Sequence, residues 1–353
     1  MQLLELFAAL VVILLAAELF TNGIEWFGRK LNLAEGAVGS VLAAVGTALP
    51  ETMIPLVAIL FATQSSDPSA AHHIGVGAIL GAPFMLATLA MFVTGLGVLL
   101  SARRRFSGRR MPVDTKVLGM DIRYFYVAYA IAVAAALVPP DLHVLRYVAV
   151  VFLIGIYAWY VKSHFEADPL IDAVDLAPLR FHRIDRRAHR SNPAVPRLRV
   201  VSLQVLVALG MIIGGAVIFV DAVEHIASSA GLDPALLALV IAPIATELPE
   251  KFNSLIWVRQ GKDTLAMGNI TGAMVFQSCI PTAIGVVLAS QAWTITHETL
   301  ITFASAGIAF ASTAAIFLPM VRRGSLSGGH LIIGGVFYVL YLGVVAAYLA
   351  GLL

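Results

Sequence analysis

The sequence predicts an all-α integral membrane protein of ten transmembrane helices, arranged as two inverted five-helix repeats. Three observations carry that prediction. The 353 residues are 59% hydrophobic and only 12% charged, against about 25% charged in a soluble domain. Basic residues fall in every other connection between apolar runs. The two halves of the chain also align with each other at a fixed offset of 199 residues.

Mean hydropathy is +0.90. Uncharged runs such as 75–100 and 331–353 exceed the roughly 20 residues that a spanning helix needs. No alternation with a period of two appears, which argues against an outer-membrane barrel. The first residues, Met1-Gln2-Leu3-Leu4-Glu5, carry no basic n-region, so the first run reads as a retained span. The single cysteine, Cys279, lies in an apolar run and predicts neither a disulfide framework nor a cysteine metal site.

Hydropathy places the spans at about 3–27, 35–62, 73–100, 119–138, 144–162, 200–225, 235–258, 264–290, 298–320 and 329–352. Arg29 and Lys30 follow the first; Arg103, Arg104, Arg105, Arg109, Arg110 and Lys116 the third. Lys162 and seven arginines from Arg180 to Arg199 follow the fifth, Arg259 and Lys262 the seventh, Arg322 and Arg323 the ninth. Of 23 basic residues, 20 lie in these five connections. Arg123 is just beyond one, Lys251 is inside a span, and Arg146 is on the opposite side. By the positive-inside rule both termini are extracytoplasmic, in what reads as a prokaryotic plasma membrane.

Two hexapeptides stand out: Gly46-Thr47-Ala48-Leu49-Pro50-Glu51 and Ala245-Thr246-Glu247-Leu248-Pro249-Glu250. Each sets a carboxylate directly after a proline, in the middle of a run long enough to span. A proline inside a helix removes one hydrogen bond and pushes away the carbonyl four residues back, here that of Gly46 or Ala245. Neither a freed carbonyl nor a carboxylate is tolerated at that depth without a partner. A cation is the natural partner.

At the 199-residue offset, residues 19–51 match 218–250 at nine of 33 positions, among them Thr47/Thr246, Pro50/Pro249 and Glu51/Glu250. Asn22 faces Asp221 in the same register. Five spans per half is odd, so the second half enters the membrane from the other side, the inverted-repeat design of secondary transporters. The expected divisions are 1–162 (spans one to five), a Pro- and Arg-rich cytoplasmic linker at 163–198, and 199–353 (spans six to ten). The linker arginines read as orientation signals rather than as a nucleic-acid site, with room for a short amphipathic piece on the lipid surface. A second paired element follows each hexapeptide, Gly77-Ala78-Ile79-Leu80-Gly81-Ala82-Pro83 and Gly268-Asn269-Ile270-Thr271-Gly272-Ala273-Met274. Glycines four apart predict close helix approach.

Taken together, these residues resemble the cation/Ca²⁺ exchanger superfamily, and most closely its Na⁺/Ca²⁺ exchanger-type members. The family pattern is two inverted repeats, each with a Gly-Thr-Ser-x-Pro-Glu segment followed by a Gly-Asn-x-x-Gly-Ser-Asn-like one. The resemblance extends over all the spans and leaves out only the linker. It implies a divalent site built from the motif glutamate and a threonine backbone oxygen of each repeat: Thr47, Glu51, Thr246 and Glu250. That agrees with the residues themselves, since Ca²⁺ takes about six to eight hard oxygens and two carboxylates cancel its charge.

The departures are as informative. The motif serines that serve monovalent sites in Na⁺-coupled members are Ala48 and Glu247 here, and the Ser-Asn pairs of the second segments are Ala82-Pro83 and Ala273-Met274. Glu247, counted with the metal site, stands one turn from Lys251, and the two can pair on one helix face in place of a bound monovalent ion. Lys251 can equally reach toward the cytoplasmic surface. Asn269, Gln277 and Ser278 are accessory candidates, with interhelical hydrogen bonding the default for them and for Thr271 and Thr88. Glu25 and Glu224 read as span-end residues, and His72, His73 and His225 as extracytoplasmic surface histidines.

The function expected is secondary active antiport of Ca²⁺, or a similar divalent cation, against H⁺ or Na⁺ by alternating access, with no cofactor. The partners are inorganic cations and the lipid bilayer. Two carboxylates held close together have one pKa raised, which suits proton exchange. The alternatives are Na⁺/H⁺ or other metal exchange on the same fold, or a non-transporting sensor. An intramembrane enzyme is disfavoured, since the chain has no His-Glu-x-x-His, Gly-x-Ser-x-Gly or P-loop motif.

Overall fold

The computed structural model describes residues 2–30, 43–64, 67–167, 177–184 and 196–352, and they are mostly helical. The first half contributes α1 (Gln2–Lys30), α2 (Ala43–Leu60), α3 (Pro68–Met85), α4 (Met91–Ser101), α5 (Thr115–Ala136) and α6 (His143–Ala167). The second contributes α7 (Leu198–Ala230), α8 (Pro234–Arg259), α9 (Asp263–Leu288), α10 (Leu300–Arg323) and α11 (Gly328–Leu349). A π-helical turn, Leu86–Ala90, joins α3 to α4. It follows Pro83, which cannot donate to the carbonyl one turn back.

Each apolar segment expected from the sequence is helical where described. Eight stretches among the described residues are long and apolar enough to cross a membrane. α2 and α8 contribute shorter apolar stretches, Glu51–Leu60 and Pro234–Ile244. These are the two helices that carry the Pro-Glu motifs, so the count of ten spans rests on them.

Local chemistry explains several boundaries. Asp67, Asp114 and Asp233 cap α3, α5 and α8: one oxygen of each accepts from two backbone N–H groups of the first turn. Pro68 and Pro234 follow two of these caps, where a missing N–H costs nothing. α7 and α10 end at Gly231 and Gly324, both with positive φ (64° and 65°), the left-handed conformation that glycine adopts without strain.

Helices from the two halves interleave. α1 packs along α7, α3 along α8, α2 and α5 along α9, and α4 along α11. Gly77 and Gly81 set the α3–α8 approach. A Cβ on them would lie 2.1 Å from the Ala235 carbonyl oxygen and 2.3 Å from that of Leu239. One apolar cluster, including Phe84, Phe125, Tyr129, Met274 and Trp293, fills the space among α3–α6 and α8–α11. A second, with Ile13, Ile54, Ile74 and Phe219, joins α1, α2, α3, α7 and α8.

The connections meet in pairs. The turn after α4 carries β1 (Arg110–Met111), which pairs antiparallel with β2 (Leu326–Ser327) before α11. The same turn reaches the α8–α9 connection through Arg105, which is bonded to Asp263. At the opposite ends of these helices, the α5–α6 connection meets the segment after α9, where the Ile295 amide donates to the Ala136 carbonyl at 3.0 Å. Residues 177–184 belong to the stretch expected as a linker. They dock on the ends of α1 and α7, with Trp26 Nε1 donating to the Ala177 carbonyl at 2.8 Å and Leu179 buried.

Candidate intramembrane cation site

Glu51 sits on α2, one residue after the proline, and is 8% exposed. Across the bundle, Gln277 on α9 is also buried, and its Nε2 donates to Glu51 Oε2 at 2.9 Å. This pair joins the two halves of the chain at the place where the hexapeptide predicts an ion. A buried carboxylate needs such donors, because removing a charge from water without them is costly.

α9 is built to present Gln277. Pro281 stands inside it and cannot donate to the Gln277 carbonyl, four residues back. The Thr282 hydroxyl donates to that carbonyl instead, at 3.1 Å. Ser278, the next residue, turns its hydroxyl to the Met274 carbonyl at 2.7 Å. Ser278 is therefore a satisfied helix hydroxyl in this conformation, whereas Gln277 meets the carboxylate. Asn269 reaches Ser254 of α8 at a long 3.5 Å.

The backbones of Thr47, Thr246, Glu247, Glu250 and Lys251 lie on α2 and α8, which run helical through Pro50 and Pro249. Their side chains lie outside the described residues, as does that of Glu25. Among the described residues no three His, Cys, Asp or Glu side chains gather as a metal-holding group. Glu224, expected at a span end, is buried on α7. His225 follows the surface expectation, exposed and 3.7 Å from Asp221. Cys279 is buried and free.

The two glycine segments behave differently. Gly77 and Gly81 lie against backbone, as expected. A Cβ on Gly272 would lie a tight 3.2 Å from the Tyr160 hydroxyl, a side-chain atom, and no described residue lies within 4 Å of a Cβ on Gly268. The approach to a neighbouring backbone seen at Gly77 and Gly81 is therefore not repeated by the second segment among the described residues. The neighbouring Thr271 instead donates to Asp121 Oδ2 of α5 at 2.5 Å, while Tyr160 of α6 donates to Oδ1 at 3.2 Å.

Asp121 carries no signal in the sequence because it sits near the start of its span, where a charge is ordinary. Buried Arg105 and Arg146 carry little, because counting arginines by side treats them all as surface residues. The one usable signal is that Arg146 breaks the pattern.

These features define a helical membrane protein with a hydrogen-bonded carboxylate buried on a proline-containing helix. The chain belongs to the sodium/calcium exchanger protein family, whose model matches residues 1–162 and 201–349. It is 25% identical over 344 residues to CaxA of Alkalimonas amylolytica, provisionally named an antiporter, covering 95% of this chain and 94% of that one. In fold it is similar to the H⁺/Ca²⁺ exchanger CAX, with a TM-score of 0.65, 17% identity and coverage of 99% and 89%. It is also similar to the sodium–calcium exchanger NCX_Mj, with a TM-score of 0.56, 15% identity and 97% of each chain covered.

Proposed function

We propose that this chain is a secondary active antiporter that exchanges Ca²⁺, or a similar divalent cation, for H⁺ by alternating access. Glu51 and Glu250 are the shared carboxylates in this reading, and Thr47 and Thr246 lend backbone oxygens. The observation that carries it is the buried Glu51 carboxylate, met by the Gln277 amide from the other half of the chain. Two carboxylates neutralise one Ca²⁺ or two protons, so the site is near neutrality in either loaded state.

Gln277 favours H⁺ over Na⁺ as the counter-ion. Its NH₂ group donates to ionised Glu51, and the same amide, turned over, offers its carbonyl to the protonated acid. An amide thus serves both protonation states, while it occupies one face of Glu51 that a second cation would need. Ten spans in two inverted five-helix repeats, divided by a cytoplasmic linker with both termini outside, complete the proposal. The reciprocal packing of α3 on α8 and α2 on α9 supports that symmetry, as does the interruption of the family match between 162 and 201.

Reconstituted vesicles test the reading. Uptake of radioactive calcium driven by an outward proton gradient is expected to exceed uptake driven by an outward Na⁺ gradient. Equal or greater uptake with Na⁺ would reject the proton assignment. Full activity of the Glu51→Gln, Glu250→Gln double variant would reject the site.

A further inference from the structure

We infer that Arg105 and Arg146 are positioning residues that fix the axial register of α9 and thereby hold Gln277 against Glu51. The inference rests on the reading of Glu51 as the ion site. Both arginines come from the first half of the chain, both are buried (7% and 2% exposed), and they take hold of opposite ends of α9.

Arg105 follows α4. Its guanidinium grips Asp263, the first residue of α9, in a two-pronged contact of 2.8 and 2.6 Å. The remaining donors reach the carbonyls of Val258, Gly108 and Arg110 and the Ser107 hydroxyl. One side chain therefore ties the turn after α4 to the end of α8 and the start of α9. Asp263 gains further from its place in the first turn, where a carboxylate complements the helix N-terminus.

Arg146 stands in the first turn of α6. It donates to the Val138 carbonyl just past α5, to the Ser290 carbonyl just past α9, and to the Thr294 hydroxyl at 2.8 Å. Its charge is met by carbonyls at two helix C-terminal ends, where the helix dipole favours a cation. Arginine suits both places because it presents five donors in a rigid plane, which lysine cannot do.

Gln277 lies midway between these anchors, about 20 Å of helix from each. A slip of one residue along the axis would move it by about 1.5 Å and rotate it by about 100°. The 2.9 Å bond to Glu51 cannot survive that. Apolar contact alone sets such a register poorly, since lipid tails compete equally for apolar faces, whereas interhelical hydrogen bonds set it sharply.

Double-mutant cycles on the full-length protein in detergent test this, pairing Arg105→Lys or Arg146→Lys with Gln277→Ala. Sites about 20 Å apart with no shared partner act additively. If the arginines act through Gln277, each lysine variant weakens half-saturating Ca²⁺ about 10-fold in the wild-type background and has no further effect beside Gln277→Ala. Equal effects in both backgrounds would overturn the inference. The same cycles on the apo Tm need no calcium: the double variant should fall by less than the sum of the singles. If wild type fails to bind Ca²⁺ while the Tm cycle shows coupling, the ion-site reading fails and the positioning role stands. An additive Tm cycle would overturn the positioning role. Thr294→Val, which removes a single contact of Arg146, replaces Arg146→Lys if that variant does not fold.

Discussion

The packing of α9 against its first-half neighbours and the packing of α1 on α7 are held together by different chemistry. α9 meets first-half polar groups at several depths: Arg105 on Asp263, Asp121 on Thr271, Glu51 on Gln277 and Arg146 beyond its far end. The Ala132 carbonyl adds a contact from Trp293 Nε1 at 3.2 Å. α1 and α7 instead meet along apolar faces, with Ile13, Ala16, Phe20, Ala208, Ile212 and Phe219 buried between them. Gly215 and Gly23 let them close, since a Cβ there would lie 2.8 Å from Ile13 and Val205 side-chain atoms. At one end Gln204 Nε2 bridges to the Leu19 carbonyl and Asn22, and the 177–184 segment lies across both helices. The contrast teaches that in lipid the polar contacts define register, while apolar faces define only proximity.

The sharpest way to break the contrast is at Arg105. Arg105→Leu leaves Asp263 as an uncompensated buried charge, which costs about 3–5 kcal/mol; a thermal melt in detergent should show the largest fall in Tm of any single change here. Arg105→Leu with Asp263→Leu should recover most of that loss, because removing both partners removes the stranded charge. Next comes Asp121→Ala, which takes a buried acceptor from the Tyr160 hydroxyl and leaves the Thr271 hydroxyl its Met267 carbonyl, and should cost about 1–3 kcal/mol by the same measurement. Gln277→Ala should weaken Ca²⁺ by about 10- to 100-fold while lowering Tm less than Arg105→Leu, read by calcium-dependent thermal shift.

On the α1–α7 side the effects should be smaller. Asn22→Ala removes part-buried contacts to the Ala177 and Pro178 carbonyls, at a long 3.3 and 3.4 Å, and to the Arg180 amide, at about 0.5–1.5 kcal/mol in all. Hydrogen exchange should then quicken at Arg180. Smallest is Glu18→Gln, which breaks the ion pair with Arg180. Both side chains are more than half exposed, so the change should cost under about 1 kcal/mol and vanish in high salt.

Much of this molecule is legible in the sequence because membrane spans are set by length and apolarity. The expected runs at 73–100 and 264–290 correspond to α3–α4 and α9 within a few residues. Glu51 is legible because a carboxylate after a proline in an apolar run requires a cation or a hydrogen-bond donor beside it. Gln277 is legible only as one polar residue among several. What selects it over Ser278 is the helix phase, which turns one side chain toward Glu51 and the other back on its own helix.

Three features are not legible. The paired glycine segments have the same spacing, yet Gly77 meets backbone and Gly272 a tyrosine, because the neighbours differ. The docked linker depends on Asn22, Trp26 and Gln204 meeting from two helices far apart in sequence. Buried Arg105 looks like an orientation signal, and Arg146 like a lone exception to the pattern, until their partners are seen.

In the proposed reading Glu51, held by Gln277, binds the transported divalent cation. The most direct measurement is an experimental structure of the protein soaked in Ca²⁺, with anomalous scattering used to locate the ion. The expected result is a Ca²⁺ bound to a Glu51 carboxylate oxygen at about 2.3–2.6 Å, near the midpoint of α2 and α9. A bound Ca²⁺ elsewhere in the bundle, with the Glu51 carboxylate making no contact to it, would contradict the claim.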